Sequence, residues 1–165
     1  MSLRVVKVGT SLLRSTERRS TADAISALCL NLAQCLHRGD RVVLVTSGAV
    51  GLGCQRLGLK ARPSTLRGLQ AAAAIGQGHL MALYEEAMAV HGIPVAQVLL
   101  TRSDLADSRS YHNASATLHQ LIEWKVLPVI NENDTVSSAE LRFGDNDTLS
   151  ALVAAAIDAD DLILL

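Results

Sequence analysis

Aromatic side chains are almost missing from this sequence: one Trp, one Phe and two Tyr occur among 165 residues. A core built without them must be made of Leu, Val, Ile and Ala, which the 49% hydrophobic content supplies. The same scarcity removes the stacking platforms on which single-stranded nucleic acid rests. A basic run is also lacking. Fifteen Lys and Arg stand against 16 Asp and Glu, for a net charge of −1, so nothing in this segment would neutralise a polyphosphate backbone. Nucleic acid is therefore not an expected partner. Cysteine is scarce: Cys29, Cys35 and Cys54 are odd in number and form no CxxC pair. That argues against disulfides and zinc and for a reducing compartment. No stretch approaches the ~20 apolar residues of a membrane span, and MSLRVVKVG at the start has no apolar signal region. A cytoplasmic protein with no membrane association is the expectation.

What is present is an alternation of apolar runs and helical patterns. Residues 3–8, 41–46, 94–100, 126–131 and 161–165 read as strands. Residues 9–20 read as a loop. Helices are expected over 21–38, after 49, over 66–91, over 109–124 and over 147–158, and a short hairpin or excursion over 135–143. In the first of these helices Ile25, Leu28, Leu32 and Leu36 share a face, with Ser20 or Thr21 as cap and Gly39 as stop. Strands that are continuously apolar, interleaved with helices, specify an α/β fold: a mostly parallel sheet sandwiched by helices. The chain stops inside its last apolar run, which leads to the expectation that a further lobe is missing.

In such sheets ligands bind outside the carboxyl ends of the strands. Four polar groups fall at that edge: Gly9-Thr10-Ser11, Ser47-Gly48-Ala49, Thr101 to Asp104, and Asn131 to Asp134. The first two are glycine-containing turns, and the second leads straight into a helix. Such turns suit an anion, because main-chain N–H groups at a helix start point at it and Gly lets it approach. Lys7, at the end of an apolar strand, is costly to bury without a counter-charge. It reads as an ammonium held over phosphoryl oxygens, or else as a side chain snorkelling to water. Glu132, Asp134, Glu140, Asp145 and Asp147 form an acidic cluster interleaved with Asn131, Asn133 and Asn146. Helix capping accounts for Asp145 or Asn146 but not for the group after the fourth strand. Carboxylates for an ammonium beside N–H groups for a carboxylate make a site for a zwitterion. DNDTLS lacks the glycine and terminal Glu of a calcium loop. Ser47 lacks the GxSxG of a hydrolase nucleophile, and KVGTS lacks the GxGxxG of a dinucleotide fold.

The blocks VVKVGTS, VTSGAVGLG, AAIGQG, VINENDTVSS and GDNDTLSA resemble, in order, those of the glutamate 5-kinase branch of the amino acid kinase family. The resemblance spans the whole chain, and NEND followed by GDND is its most specific part. It implies the amino acid kinase fold, with residues 1–165 as the amino-terminal, glutamate-binding part of the kinase domain. It further implies ATP-dependent phosphorylation of the L-glutamate γ-carboxylate, the first step toward proline. In that resemblance Lys7 and Asp147 are catalytic, Asp147 orienting the lysine. Ser47, Gly48, Asp134, Asp145 and Asn146 bind or wall the acid substrate, and Lys7, Gly9 and Thr10 face the nucleotide phosphates. ATP arrives with Mg2+, and no metal site made of protein alone is expected. Proline as feedback inhibitor, a homo-oligomer and coupling to glutamate-5-semialdehyde dehydrogenase are also implied. The family's nucleotide lobe, with its second catalytic lysine, and the PUA domain of many bacterial members lie outside these residues, so the segment alone is expected to be inactive. Two other readings stay open: a kinase acting on a different acid, and a non-catalytic glutamate- or proline-binding half-domain.

Overall fold

The computed structural model describes residues 1–137 and 146–165. Five strands form one sheet: β1 (Leu3–Lys7), β2 (Arg41–Val45), β3 (Val95–Leu100), β4 (Leu127–Glu132) and β5 (Asp161–Leu164). Every pairing is parallel, and the order is β3-β4-β2-β1-β5. Seven helices accompany them among the described residues: α1 (Thr10–Leu13), α2 (Thr21–His37), α3 (Ala49–Arg56), α4 (Leu66–Ala89), α5 (Arg102–Ala106), α6 (Ser108–Glu123) and α7 (Asp147–Ala156).

Successive strand residues point to opposite faces, and here both faces are buried. Val6 and Leu44 pack with Ile25 of α2, Val50 of α3 and Leu80 of α4. Val5 and Val43 pack with Leu105 of α5, Leu118 of α6 and Val153 of α7. Two cores sharing one sheet explain why the strands read as unbroken apolar runs. β5 is the exception, with Leu162, Ile163 and Leu164 exposed.

The chain order places the site. Crossovers from β1 to β2 and from β2 to β3 move one way along the sheet and use α2, α3 and α4 on the first face. Those from β3 to β4 and from β4 to β5 move the other way and use α5, α6 and α7 on the second. Reversal of direction with change of face keeps the connections in one hand. β2 and β4 are neighbours whose following helices leave to opposite faces, so their carboxyl ends part and a crevice opens between them. This is a topological switch point, the usual ligand position in an open α/β sheet.

Two short helices lie where a loop or polar turn was expected. α1 (Thr10–Leu13) lies near the start of residues 9–20. α5 follows Thr101, which forms a reciprocal capping box with Asp104. Elements of four and five residues are too short to display a periodicity, and the local hydrogen bonds of the cap decide instead. The start of the excursion expected over 135–143 is a turn, and the rest lies outside the described residues.

α3 and α4 meet backbone to backbone. A Cβ at Gly76 would lie 1.8 Å from the Ala49 oxygen, and one at Gly53 would lie 1.8 Å from the Ala72 oxygen. Neither obstacle is a side chain that could turn away. Gly76→Ala is therefore expected to destabilise the fold by at least about 1–3 kcal/mol. An unchanged denaturation midpoint in urea would show that the helices are further apart than described.

Candidate active site

At the switch point lies a cleft of about 300 Å³, whose wall includes Thr10, Ser47, Gly48, Arg62, Asn131, Glu132, Asp134 and Asn146. Ser47 and Gly48 come from the turn after β2. Gly48 has φ +100°, a left-handed conformation that costs any residue with a Cβ about 1–2 kcal/mol, and it caps α3 without a side-chain hydrogen bond. Leu52 N–H is the first in this helix to reach back, to the Gly48 oxygen at 3.0 Å. The N–H groups of the preceding turn have no helical acceptor, and they lie along the cleft, where a carboxylate or phosphate would be held.

Asn146 forms the opposite wall. It is 2% exposed, and its Nδ2 donates to Thr46 O at 2.5 Å and to Asn131 Oδ1 at 2.9 Å, with Ser47 Oγ at 3.4 Å. Three oxygens around the nitrogen fix which way the amide faces. Its Oδ1 is buried and has no hydrogen-bond partner among the described residues. Buried acceptors are nearly always satisfied, so this oxygen is a candidate acceptor for a donor from outside the described residues.

The acidic side of the cleft is built by the segment after β4. Glu132 is 6% exposed and accepts from Ser137 Oγ at 2.8 Å. Gln70 Nε2 donates to Ser137 O at 3.2 Å, tying the end of the turn to α4. Burial pushes the Asp134 carboxyl up to about 6, the neighbouring Glu132 charge adds to the rise, and Arg62 opposes it. A cation in the cleft would be met by both carboxylates and the Asn146 oxygen.

A second group lies at the ends of β1 and α7. Lys7 Nζ is 2.6 Å from Asp147 Oδ1, with the lysine side chain 12% exposed and the aspartate 54%. Gly9 makes room for the ammonium: a Cβ there would be 3.3 Å from Lys7 Nζ. The Gly9 N–H itself donates to Leu165 O at 3.0 Å, so in this arrangement it extends the β1–β5 ladder.

Of the residues expected from the sequence, Thr10, Ser47, Gly48, Asp134 and Asn146 line one cleft, while Lys7, Gly9 and Asp147 form the adjoining group. Asp145 lies outside the described residues. Not singled out from the sequence were Asn131 and Glu132 as individual contributors, nor Arg62 and Gln77. Gln77 belongs to the AAIGQG block, and its Oε1 accepts from Asn131 Nδ2 at 2.8 Å. Arg62 lies in the α3–α4 connection, where no periodicity marks it. Among the described residues no group of three His, Cys, Asp or Glu could hold a metal ion, and no helix is long and apolar enough to cross a membrane.

Comparison with known proteins bears on the family and the fold. The profile of the amino acid kinase family matches residues 2–165. The chain is 69% identical to the glutamate 5-kinase of Synechococcus sp. (strain CC9902) and 66% identical to that of Prochlorococcus marinus (strain MIT 9313), over all 165 residues in both cases. It spans 45% and 46% of those relatives' lengths. Among solved structures, carbamate kinase from Giardia lamblia bound to AMP-PNP covers 99% of this chain at TM-score 0.67 and 12% identity, with 73% of that chain matched. The T. acidophilum isopentenyl phosphate kinase product complex covers 99% at TM-score 0.64 and 19% identity, with 70% of that chain matched. At such identities these two speak for the fold alone, whereas the profile speaks for descent. A parallel sheet with its cleft at the switch point, together with a profile match over nearly every residue, shows that the chain belongs to the amino acid kinase family.

Proposed function

We propose that this chain is the amino-terminal, acid-binding part of a kinase that transfers the γ-phosphoryl group of ATP to the side-chain carboxylate of L-glutamate. The observation that carries the reading is the buried Asn146 Oδ1, without a partner among the described residues, in a cleft also lined by Asp134 and the start of α3. An amino acid matches that layout. Its ammonium supplies the donor that Oδ1 lacks and pairs with Asp134, and a carboxylate takes the N–H groups of α3. The high identity to glutamate 5-kinases supports glutamate as the acid.

The chemistry asks little of a base, because the γ-carboxylate is already ionised at neutral pH. One of its oxygens attacks the γ-phosphorus of ATP in line. A P–O bond to the carboxylate forms, the bridging P–O bond to the β-phosphate breaks, and ADP leaves, giving γ-glutamyl phosphate. Positioning and charge stabilisation then supply most of the rate. Lys7 provides charge stabilisation at the transferred group, and Asp147 holds its ammonium in place. The described residues do not form a magnesium site of their own, so the ion would travel on the nucleotide phosphates, and no step here passes through it.

The product is a reactive acyl phosphate, which suits rapid consumption by a reductase such as glutamate-5-semialdehyde dehydrogenase. In the same reading proline, which shares the α-amino acid groups, competes in this cleft, the enzyme works as a homo-oligomer, and the reaction takes place in the cytoplasm. Three free thiols suit that reducing compartment. The test is hydroxylamine trapping in the full-length enzyme carrying this segment: L-glutamate and ATP are expected to yield γ-glutamyl hydroxamate. ATP hydrolysis without hydroxamate would refute carboxyl phosphorylation.

A further inference from the structure

The Asn146 amide is the inner end of a chain of four side-chain amides that crosses the fold. Asn146 Nδ2 donates to Asn131 Oδ1 at 2.9 Å, Asn131 Nδ2 to Gln77 Oε1 at 2.8 Å, and Gln77 Nε2 to Gln97 Oε1 at 2.9 Å. The four come from the start of α7, from β4, from α4 and from β3. Every bond runs in the same direction, away from the cleft, so the two ends of each amide are told apart.

Backbone groups set that direction at the inner end. Glu132 N–H donates to Asn131 Oδ1 at 2.9 Å, and Thr46 O accepts from Asn146 Nδ2. With its oxygen committed to two donors, Asn131 must turn its NH₂ outward. Asn131 is 3% exposed, so that NH₂ needs a protein acceptor, and Gln77 Oε1 is it. Gln97 Oε1 in turn accepts from the Gln77 Nε2, the end that faces away from Asn131. Aligned bonds polarise one another, and a donor arriving at Asn146 Oδ1 would extend the series in the same sense.

We propose that Gln77 and Gln97 are positioning residues for the acid substrate, holding the Asn146 carbonyl oxygen toward the cleft through Asn131. They touch no substrate, and they act by keeping the Asn131–Asn146 pair from rotating. The inference rests on the reading that the substrate ammonium meets Asn146 Oδ1.

Discrimination between L-glutamate and glutarate, which differs by lacking the ammonium, tests it in the full-length enzyme carrying this segment. Gln77→Leu removes the acceptor and leaves the Asn131 NH₂ unpaired. It is expected to lower the ratio of kcat/KM for glutamate over glutarate roughly tenfold, mostly through KM for glutamate. Gln77→Glu keeps an oxygen facing Asn131, while Gln97 can turn its NH₂ toward the new carboxylate, so the ratio is expected to return to within about threefold of the parent. Gln97→Leu, on the exposed side of β3, is expected to act in the same direction as Gln77→Leu but more weakly, and it serves where Gln77→Leu does not fold. Equal losses for both substrates, or failure of Gln77→Glu to recover the ratio, would overturn the positioning role. A parent enzyme that does not distinguish glutamate from glutarate would instead overturn the ammonium reading beneath it.

Discussion

Lys7→Ala lowers kcat of the full-length enzyme carrying this segment by on the order of 10²–10³-fold, the loss typical of one preorganised donor at a developing charge, while KM for glutamate changes little. The expectation follows from where the ammonium is held. It sits at the end of an apolar strand with 12% of the side chain exposed, 2.6 Å from Asp147, and over the space that Gly9 leaves open. It lies beside the acid cleft and does not form its wall, which separates its effect on turnover from any on substrate affinity. Arginine is a poor replacement, because a planar guanidinium does not reproduce the compact point charge of an ammonium. Steady-state hydroxamate formation measures the effect. Turnover near the parent value would remove Lys7 from the mechanism.

Asp134→Asn raises KM for glutamate by about 10²-fold, in line with the cost of leaving one member of a desolvated charge pair without its partner. The residue also gives KM a pH dependence. With the carboxyl at about 6 in the free protein, the ammonium meets an ionised partner only above that value. KM is expected to be flat above about pH 7 and to climb toward tenfold per unit below 6, and Asp134→Asn abolishes the climb. Arg62 opposes the rise, so Arg62→Ala moves the inflection to higher pH. Stability has the opposite slope. The unfolded carboxyl releases its proton near 3.8 and the folded one near 6, so the native state binds more protons in that interval. The contribution of Asp134 to stability therefore falls as pH rises from 3.8 to about 6 and is level above it. A KM profile flat from pH 5 to 8 would contradict the role given to Asp134.

The strands and long helices were legible because their signals are local. The burial of both sheet faces turns β1 and β2 into unbroken apolar runs, and Ser20 with Asp23 closes a capping box at the start of α2. The candidate cleft was legible in outline for a different reason: in a parallel sheet every polar turn after a strand falls at one edge, so Ser47-Gly48 and Asn131 to Asp134 had to be neighbours. Which residues touch could not be read. Lys7 and Asp147 are 140 positions apart, and only the family resemblance paired them in advance. The line from Asn146 through Asn131 and Gln77 to Gln97 joins four elements, and side-chain amides at such separations leave no periodic trace. Arg62 enters the cleft from a connection, where neither propensity nor pattern constrains a side chain.

The central claim is that the cleft recognises an amino acid by its ammonium, at Asn146 Oδ1 and Asp134. The most direct measurement is kcat/KM for hydroxamate formation with L-glutamate, glutarate and N-acetyl-L-glutamate in the same full-length enzyme carrying this segment. L-glutamate is expected to exceed both others by at least about tenfold, since glutarate brings no donor to the buried oxygen, and the uncharged amide N–H of N-acetyl-L-glutamate leaves the carboxylate without a counter-charge. Glutarate or N-acetyl-L-glutamate reacting as well as L-glutamate would contradict it.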